Sequence, residues 1–223
     1  PWDWIILSQN SCITFDIVEE NPDLPWCWNS LSGNPNISFE IVKRNPGRQW
    51  NWKLLSQNKG ITFNDVENNP NEPWCWIYLS MNPNITPSVI IKNIDDKWNW
   101  NLLSQNPYIT IYHVINNLKK PWNWNSLSQH SNITFKMIMK YRQFPWNWNF
   151  VCLNQSVTFN DVRSNPNLPW NWENLSANTS VSFNDVVSNL GKPWNWFKLS
   201  SVINITSDDI EMMPNLPWNW TMM

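Results

Sequence analysis

All 20 tryptophans of the chain fall in W-x-W pairs, whose first members are Trp2, Trp26, Trp50, Trp74, Trp98, Trp122, Trp146, Trp170, Trp194 and Trp218. Successive pairs are 24 residues apart every time, without an insertion. A period held this strictly marks a repeat array and overrides the one or two closed domains that 223 residues would otherwise suggest. The chain reads as a single array over 1–223: repeats open near Trp2, Trp26, Trp50, Trp74, Trp98, Trp122, Trp146, Trp170 and Trp194, and a partial repeat starts from Trp218. It begins at Pro1, in mid-motif and without Met, as a segment of a longer array would.

From its first Trp the consensus is W-N-W-x-x-L-S-x-N-P-x-I-T-F-x-x-V-x-x-N-P-x-L-P. Its second half predicts a helix of about two turns, helix B. In Ile61 to Pro70, Thr62 suits the N-cap and Asp65 can reach back to close a short capping box. The same pairing recurs at Thr158/Asp161, Ser182/Asp185 and Thr206/Asp209, and Thr86 is followed by Pro87, a favoured first helical residue. Asn69-Pro70 ends the helix, because the residue before proline is pushed out of the α region. Asn21, Asn45, Asn69, Asn93, Asn117, Asn165 and Asn189 suit chain-reversing ends of helix B.

The first half predicts helix A, with Pro121 in its first turn, Trp124 and Leu127 on one face, and an exit through Asn-Pro or a substitute such as His130-Ser131. Trp122 then points elsewhere. The alternation of W-N-W also fits a short strand, although no copy carries the L-x-L of a leucine-rich β/α repeat.

Two short helices cannot bury their apolar faces alone, so neighbouring repeats must stack. Phase-matched columns supply the core: Trp4 to Trp196, Leu7 to Leu199 with Val151 substituting, Ile13 to Ile205, Val18 to Ile210, and Phe15 to Phe183 interrupted at Pro87 and Ile111. The position after the Phe column varies freely, from Asp16 and Glu40 to Tyr112 and Lys136, and reads as solvent. Proline is lost at Ile94, Lys97 and Leu118, and the ninth copy departs at Val202-Ile203. The fold class is therefore all-α: a solenoid of about nine repeats, each of two short helices.

The composition excludes several functions. A net charge of -2 and a pI near 5.7 deny nucleic acid the basic face it needs, so a nucleic-acid partner is not expected. No apolar run is long enough for a membrane span, and nothing resembles a signal peptide. Cys27 and Cys75 share one repeat phase two repeats apart, beyond disulfide reach, and Cys12 and Cys152 stand alone. Reduced thiols in an intracellular compartment follow. The sequons at Asn36, Asn84, Asn132, Asn154, Asn174, Asn178, Asn204 and Asn219 arise mostly from the repeat itself.

A W-x-W pair can also be an aromatic cage or a stacking platform. Copies at one fixed phase argue against a cage, which needs rings from several directions. Exposed in part, the unpaired column Trp26, Trp50, Trp74, Trp98, Trp122, Trp146, Trp170 and Trp194 would be an apolar stripe of the kind that marks a protein contact surface. The Asn of W-N-W reads as an amide ladder or as a partner for local backbone donors.

The catalytic and metal searches return no residues. His113 and His130 lie in different repeats with no acidic or Cys partner at ligand spacing, and no Ser of the Leu-Ser pair stands out from the others. Asp161, Asp185 and Asp209 share a phase, but about 10 Å between layers is too wide for a carboxylate pair. No phosphate-binding glycine loop is present, so neither an enzyme nor a cofactor is expected.

The Asn-Pro stops and Asn-x-Thr caps, as in Leu79 to Val89, resemble the leucine-rich repeat variant, a right-handed solenoid of alternating α and 3₁₀ helices. That resemblance implies that helix A or B is partly 3₁₀. The strings Asn34 to Val42 and Asn21 to Trp26 are similar to the PWNW repeats of uncharacterised giant DNA virus proteins, and this similarity covers the whole chain. It implies a viral protein in host cytoplasm or virion and carries over no catalytic residue. The functional expectation is a non-enzymatic scaffold or protein-interaction array that can also associate end to end. The alternative is a ligand-binding module that stacks carbohydrate or single-stranded nucleic acid on its Trp stripe.

Overall fold

The computed structural model describes residues 2–93, 97–202, 206–217 and 219. The expectations placed on Ile94, Ile203, Asn204, Ile205, Trp218, Trp220 and the side chain of Ile210 lie outside the described residues. The chain divides into two compact units, Pro1–Tyr108 and Ile109–Met223, each described by itself.

Both units are helical. The first holds α1 (Trp4–Gln9), α2 (Phe15–Glu20), α3 (Trp28–Leu31), α4 (Phe39–Arg44), α5 (Trp52–Gln57), α6 (Phe63–Asn68), α7 (Trp76–Leu79), α8 (Pro87–Lys92) and α9 (Trp100–Leu103). The second holds α10 (Ile111–Ile115), α11 (Trp124–Ser128), α12 (Phe135–Lys140), α13 (Trp148–Val151), α14 (Phe159–Ser164), α15 (Trp172–Leu175), α16 (Phe183–Val187), α17 (Trp196–Val202) and α18 (Ser207–Met212). No strand and no 3₁₀ helix occurs among the described residues. The strand reading of W-N-W and the 3₁₀ character implied by resemblance are both corrected. Three-residue bonds do occur at helix exits, such as Gly33 N–H to Ser30 O at 3.0 Å and Asn34 N–H to Leu31 O at 2.8 Å.

Helix A begins at the second Trp, not at the proline. Before α11 the chain is extended at Asn123 (φ -84°, ψ 100°), and the Asn123 side chain accepts from Ser126 N–H. The middle residue of W-x-W is thus the N-cap, and Pro121 lies outside the helix. Asn51, Asn99, Asn147, Asn171 and Asp3 cap in the same way, while Cys27 and Cys75 hold the position without a side-chain bond. The amide of this Asn also reaches sideways, as from Asn51 to Asn29 and from Asn171 to Asn149, both at 2.7 Å. The reading as a partner for local backbone donors holds, while the sideways bonds run to the residue after the second Trp of the preceding repeat and not to the equivalent Asn, so no ladder of like residues forms there.

Helix B starts where its caps predict. Capping boxes close at Thr62/Asp65, Thr158/Asp161 and Ser182/Asp185, Thr206 bonds Asp209 in the same way, and Pro87 is the first residue of α8. Its end is closed without a left-handed residue, since no described residue has a positive φ. Instead the terminal Asn donates back to the carbonyl four residues earlier, as Asn69 does to Asp65 O at 2.8 Å.

A helices pack on the A helix of the next repeat, α1 on α3, α5 on α7 and α11 on α13. The predicted columns form the core: Leu31, Leu55, Leu79 and Leu103 are buried in the first unit, and Leu127, Val151, Leu175 and Leu199 in the second. The Ile, Val and Phe columns are likewise buried, from Ile37 to Val181, Val18 to Val186 and Phe15 to Phe183, with Pro87 only half-buried. Every residue after the Phe, from Asp16 to Asn184, is exposed. Leu127→Ala is therefore expected to cost about 2 to 5 kcal/mol by denaturant unfolding, whereas Asn64→Ala stays within about 0.5 kcal/mol.

Candidate interaction surface

The two tryptophans of a pair have distinct jobs. The first is the deeper one: Trp26, Trp74, Trp98, Trp122, Trp146, Trp170 and Trp194 are 5–8% exposed, and Trp50 is half-buried. As an exposed stripe this column is corrected. Its indole N–H donates to the carbonyl that ends the preceding helix B, from Trp26 to Asn21 at 2.9 Å, Trp122 to Asn117 at 2.9 Å and Trp170 to Asn165 at 2.8 Å. The ring can be buried because its one polar atom has a partner. The second Trp, expected wholly in the core, is half-buried in each described repeat but that of Trp100, from Trp4 to Trp196.

The pairs interlock between repeats. The second Trp meets the first Trp of the next repeat edge to face, at 5.1 Å for Trp28 and Trp50, 5.0 Å for Trp52 and Trp74, and 5.1 Å for Trp124 and Trp146. Phe39, Phe63, Phe135 and Phe159 lean on the first Trp from the other helix, with Phe39 and Trp74 5.2 Å apart.

Two polar columns escape the sequence reading. The Ser of Leu-Ser is buried; Ser56 Oγ donates to Trp52 O at 2.7 Å and accepts from Cys75 N–H of the next repeat at 2.9 Å. Cys152 takes that place once, accepting from Asn171 N–H at 3.2 Å, and burial pushes its thiol up to about 11. The Asn two places on forms a second buried column. Asn34, Asn58, Asn82, Asn106, Asn154 and Asn178 are buried, and each donates its amide to carbonyls of the preceding repeat. Asn58 donates to Ser32 O at 2.9 Å and Asn34 O at 2.8 Å, while its own oxygen accepts from Gly60 N–H at 2.8 Å. His130 stands in this column, with Nδ1 accepting from Asn132 N–H at 3.1 Å. The legible signal was the fixed phase of a polar residue three places after a buried leucine.

The sequon amides at Asn36, Asn84, Asn132, Asn154, Asn174 and Asn178 likewise donate to backbone carbonyls, and Asn154 and Asn178 are buried. The four cysteines are free thiols. Among the described residues no group of three or more His, Cys, Asp or Glu could hold a metal ion, and no helix is long and apolar enough to cross a membrane.

His113 has a structural post in α10. Its Nδ1 accepts from Thr110 N–H at 3.0 Å, closing a capping box where other repeats use aspartate. Burial lowers its pKa below the ordinary 6.5. A depressed folded value means that the unfolded chain takes the proton more readily. The stability this cap contributes is thus complete above 6.5 and is lost as pH falls from there through the folded pKa. Amide exchange in α10 is expected to quicken below that point in the parent, and His113→Asp should remove the change over the same range.

What remains outward is a set of open grooves and variable side chains. Grooves of about 540 and 720 Å³ run beside the W-x-W edges at Trp170–Asn195 and Asn29–Cys75. A third, of about 350 Å³, is lined by Met81, Pro83, Leu102, Pro107 and Tyr108. Ile77, Met81 and Tyr108 are more than half exposed, where sister repeats carry Asn101, Gln57 and Asn84. Compared with protein-family models, curated proteins and solved structures, the chain matches none.

Proposed function

We propose that the chain is a non-enzymatic repeat scaffold that binds protein partners through its variable exposed positions. The division of labour within each repeat supports this reading. Fixed residues are consumed by the core and by bonds between repeats, while the outward positions differ from copy to copy, as from Glu40 to Tyr112 and Lys136. Such an array offers a surface written one side chain at a time. Similarity to giant-virus PWNW repeats supports a viral setting, in the host cytoplasm or the virion, and the free thiols suit an intracellular one.

The test is capture of a partner by the parent and by a triple variant, Ile77→Asn, Met81→Gln and Tyr108→Asn, which borrows residues of sister repeats and keeps the fold. Saturable binding lost in the variant supports the scaffold. A monodisperse parent that binds no protein from host or infected cells would overturn it.

The open grooves beside Trp and Asn edges support a second reading, a module that stacks carbohydrate or single-stranded nucleic acid. The rings there already meet edge to face, so they form no continuous platform on which successive bases or sugars could stack. Tryptophan emission that glycans and oligonucleotides leave unmoved would remove it.

A further inference from the structure

The residue two places before each first Trp can lie over the ring of the preceding repeat's second Trp. The Arg48 guanidinium is 4.5 Å from the Trp28 ring centre, the Lys192 ammonium 5.0 Å from that of Trp172, and the Phe144 ring 5.3 Å from that of Trp124. The loop that carries this residue repeats its bonding. Arg48 N–H donates to Asn45 O at 3.2 Å and Arg48 O accepts from Trp50 N–H at 2.9 Å; Glu72 makes the same pair with Asn69 and Trp74 at 3.2 and 2.7 Å.

The backbone therefore gives Glu72 the loop position, relative to Trp52, from which Arg48 reaches Trp28. Glu72 is exposed, and its carboxylate is repelled by the negative face of an indole that attracts a cation. Among the described residues no cation of the chain lies over Trp52. The cations of α4 and of the loop after it have other partners: Lys43 pairs with Glu40 at 2.8 Å and stands over Phe39, Arg44 turns to Glu40 at 3.4 Å, and Arg48 is on Trp28. We propose that Trp52 and Glu72 form a seat for an arginine side chain of a protein partner. Guanidinium stacks on the ring as Arg48 does one repeat earlier, and the carboxylate supplies the opposite charge. The seat rests on the scaffold reading.

The probe is N-acetyl-arginine amide titrated into the full chain while the ring resonances of Trp52 and Trp28 are followed. Trp52 is expected to shift saturably while Trp28, already covered by Arg48, does not, and N-acetyl-norleucine amide should move neither. Glu72→Arg, which gives the repeat its own cover, should weaken binding at least about tenfold. Arg48→Glu should create a second responding ring at Trp28. An unresponsive Trp52, an equal response at Trp28 in the parent, or unchanged binding by Glu72→Arg overturns the seat. A protein partner held equally by parent and Glu72→Arg also overturns it and leaves the scaffold standing. Probe binding at Trp52 in a chain that captures no protein upholds the seat and counts against the scaffold alone.

Discussion

Trp170→Ala is expected to cost about 4 to 6 kcal/mol, more than a core leucine. The indole is 8% exposed and joins three elements at once. It meets Trp148 edge to face at 5.3 Å, lies 5.6 Å from Phe135, and donates to Asn165 O at 2.8 Å. Truncation opens a cavity between repeats and strands the carbonyl that ends α14. Trp170→Phe refills most of the space but not the hydrogen bond, so about 1 to 3 kcal/mol of loss should remain. Trp172→Ala should cost less than Trp170→Ala, because its ring is half-buried. Denaturant unfolding followed in the second unit checks the order; equal losses at Trp170 and Trp172 would show that the pair is not divided into a deep and a shallow member.

Asn154→Ala carries the second large effect, about 3 to 5 kcal/mol. This fully buried amide donates to Ser128 O, His130 O and Ile133 O at 3.0, 3.3 and 2.8 Å, and its oxygen accepts from Ser156 N–H at 2.9 Å. Alanine removes all three bonds to the preceding repeat and leaves the Ser156 N–H without its acceptor. Asn154→Asp keeps the acceptor but removes the donors and adds a charge facing carbonyls, so it should be no better tolerated. Asn160→Ala, exposed in the same repeat, should stay within about 0.5 kcal/mol. Hydrogen exchange across α11 to α14 separates the two, because only the Asn154 change should release amides of the neighbouring repeat.

These two residues show where the sequence was legible. The Leu, Ile, Val and Phe columns could be read because apolar side chains at fixed phase have one plausible destination, and Thr62 or Ser182 could be read because a cap followed by aspartate is a local signal. Ranking Trp122 against Trp124 required the helix start. Placing that start at Pro121 turned the phase and put the wrong ring inside; Asn123, read as a ladder residue or as a partner for local backbone donors, is the cap that sets the start at Trp124. Ser56 and Asn58 were hidden for a different reason. A polar residue before proline, as Asn34 is, looks like a stop signal, and nothing within one repeat reveals that such residues bond to a neighbouring repeat, Asn58 to the one before and Ser56 to the one after.

The most direct test of the interlocked array is exchange of the indole N–H protons, resolved by nitrogen-15 labelling of the tryptophans. Bonds from Trp26, Trp50, Trp74, Trp98, Trp122, Trp146, Trp170 and Trp194 to the helix-ending carbonyls should make these protons slow. Second-member indoles such as Trp52, Trp148 and Trp172, half-buried and without such a bond among the described residues, should exchange fast. Slow second-member protons beside fast first-member ones would contradict the account, because the array would then be held together by the other ring of each pair.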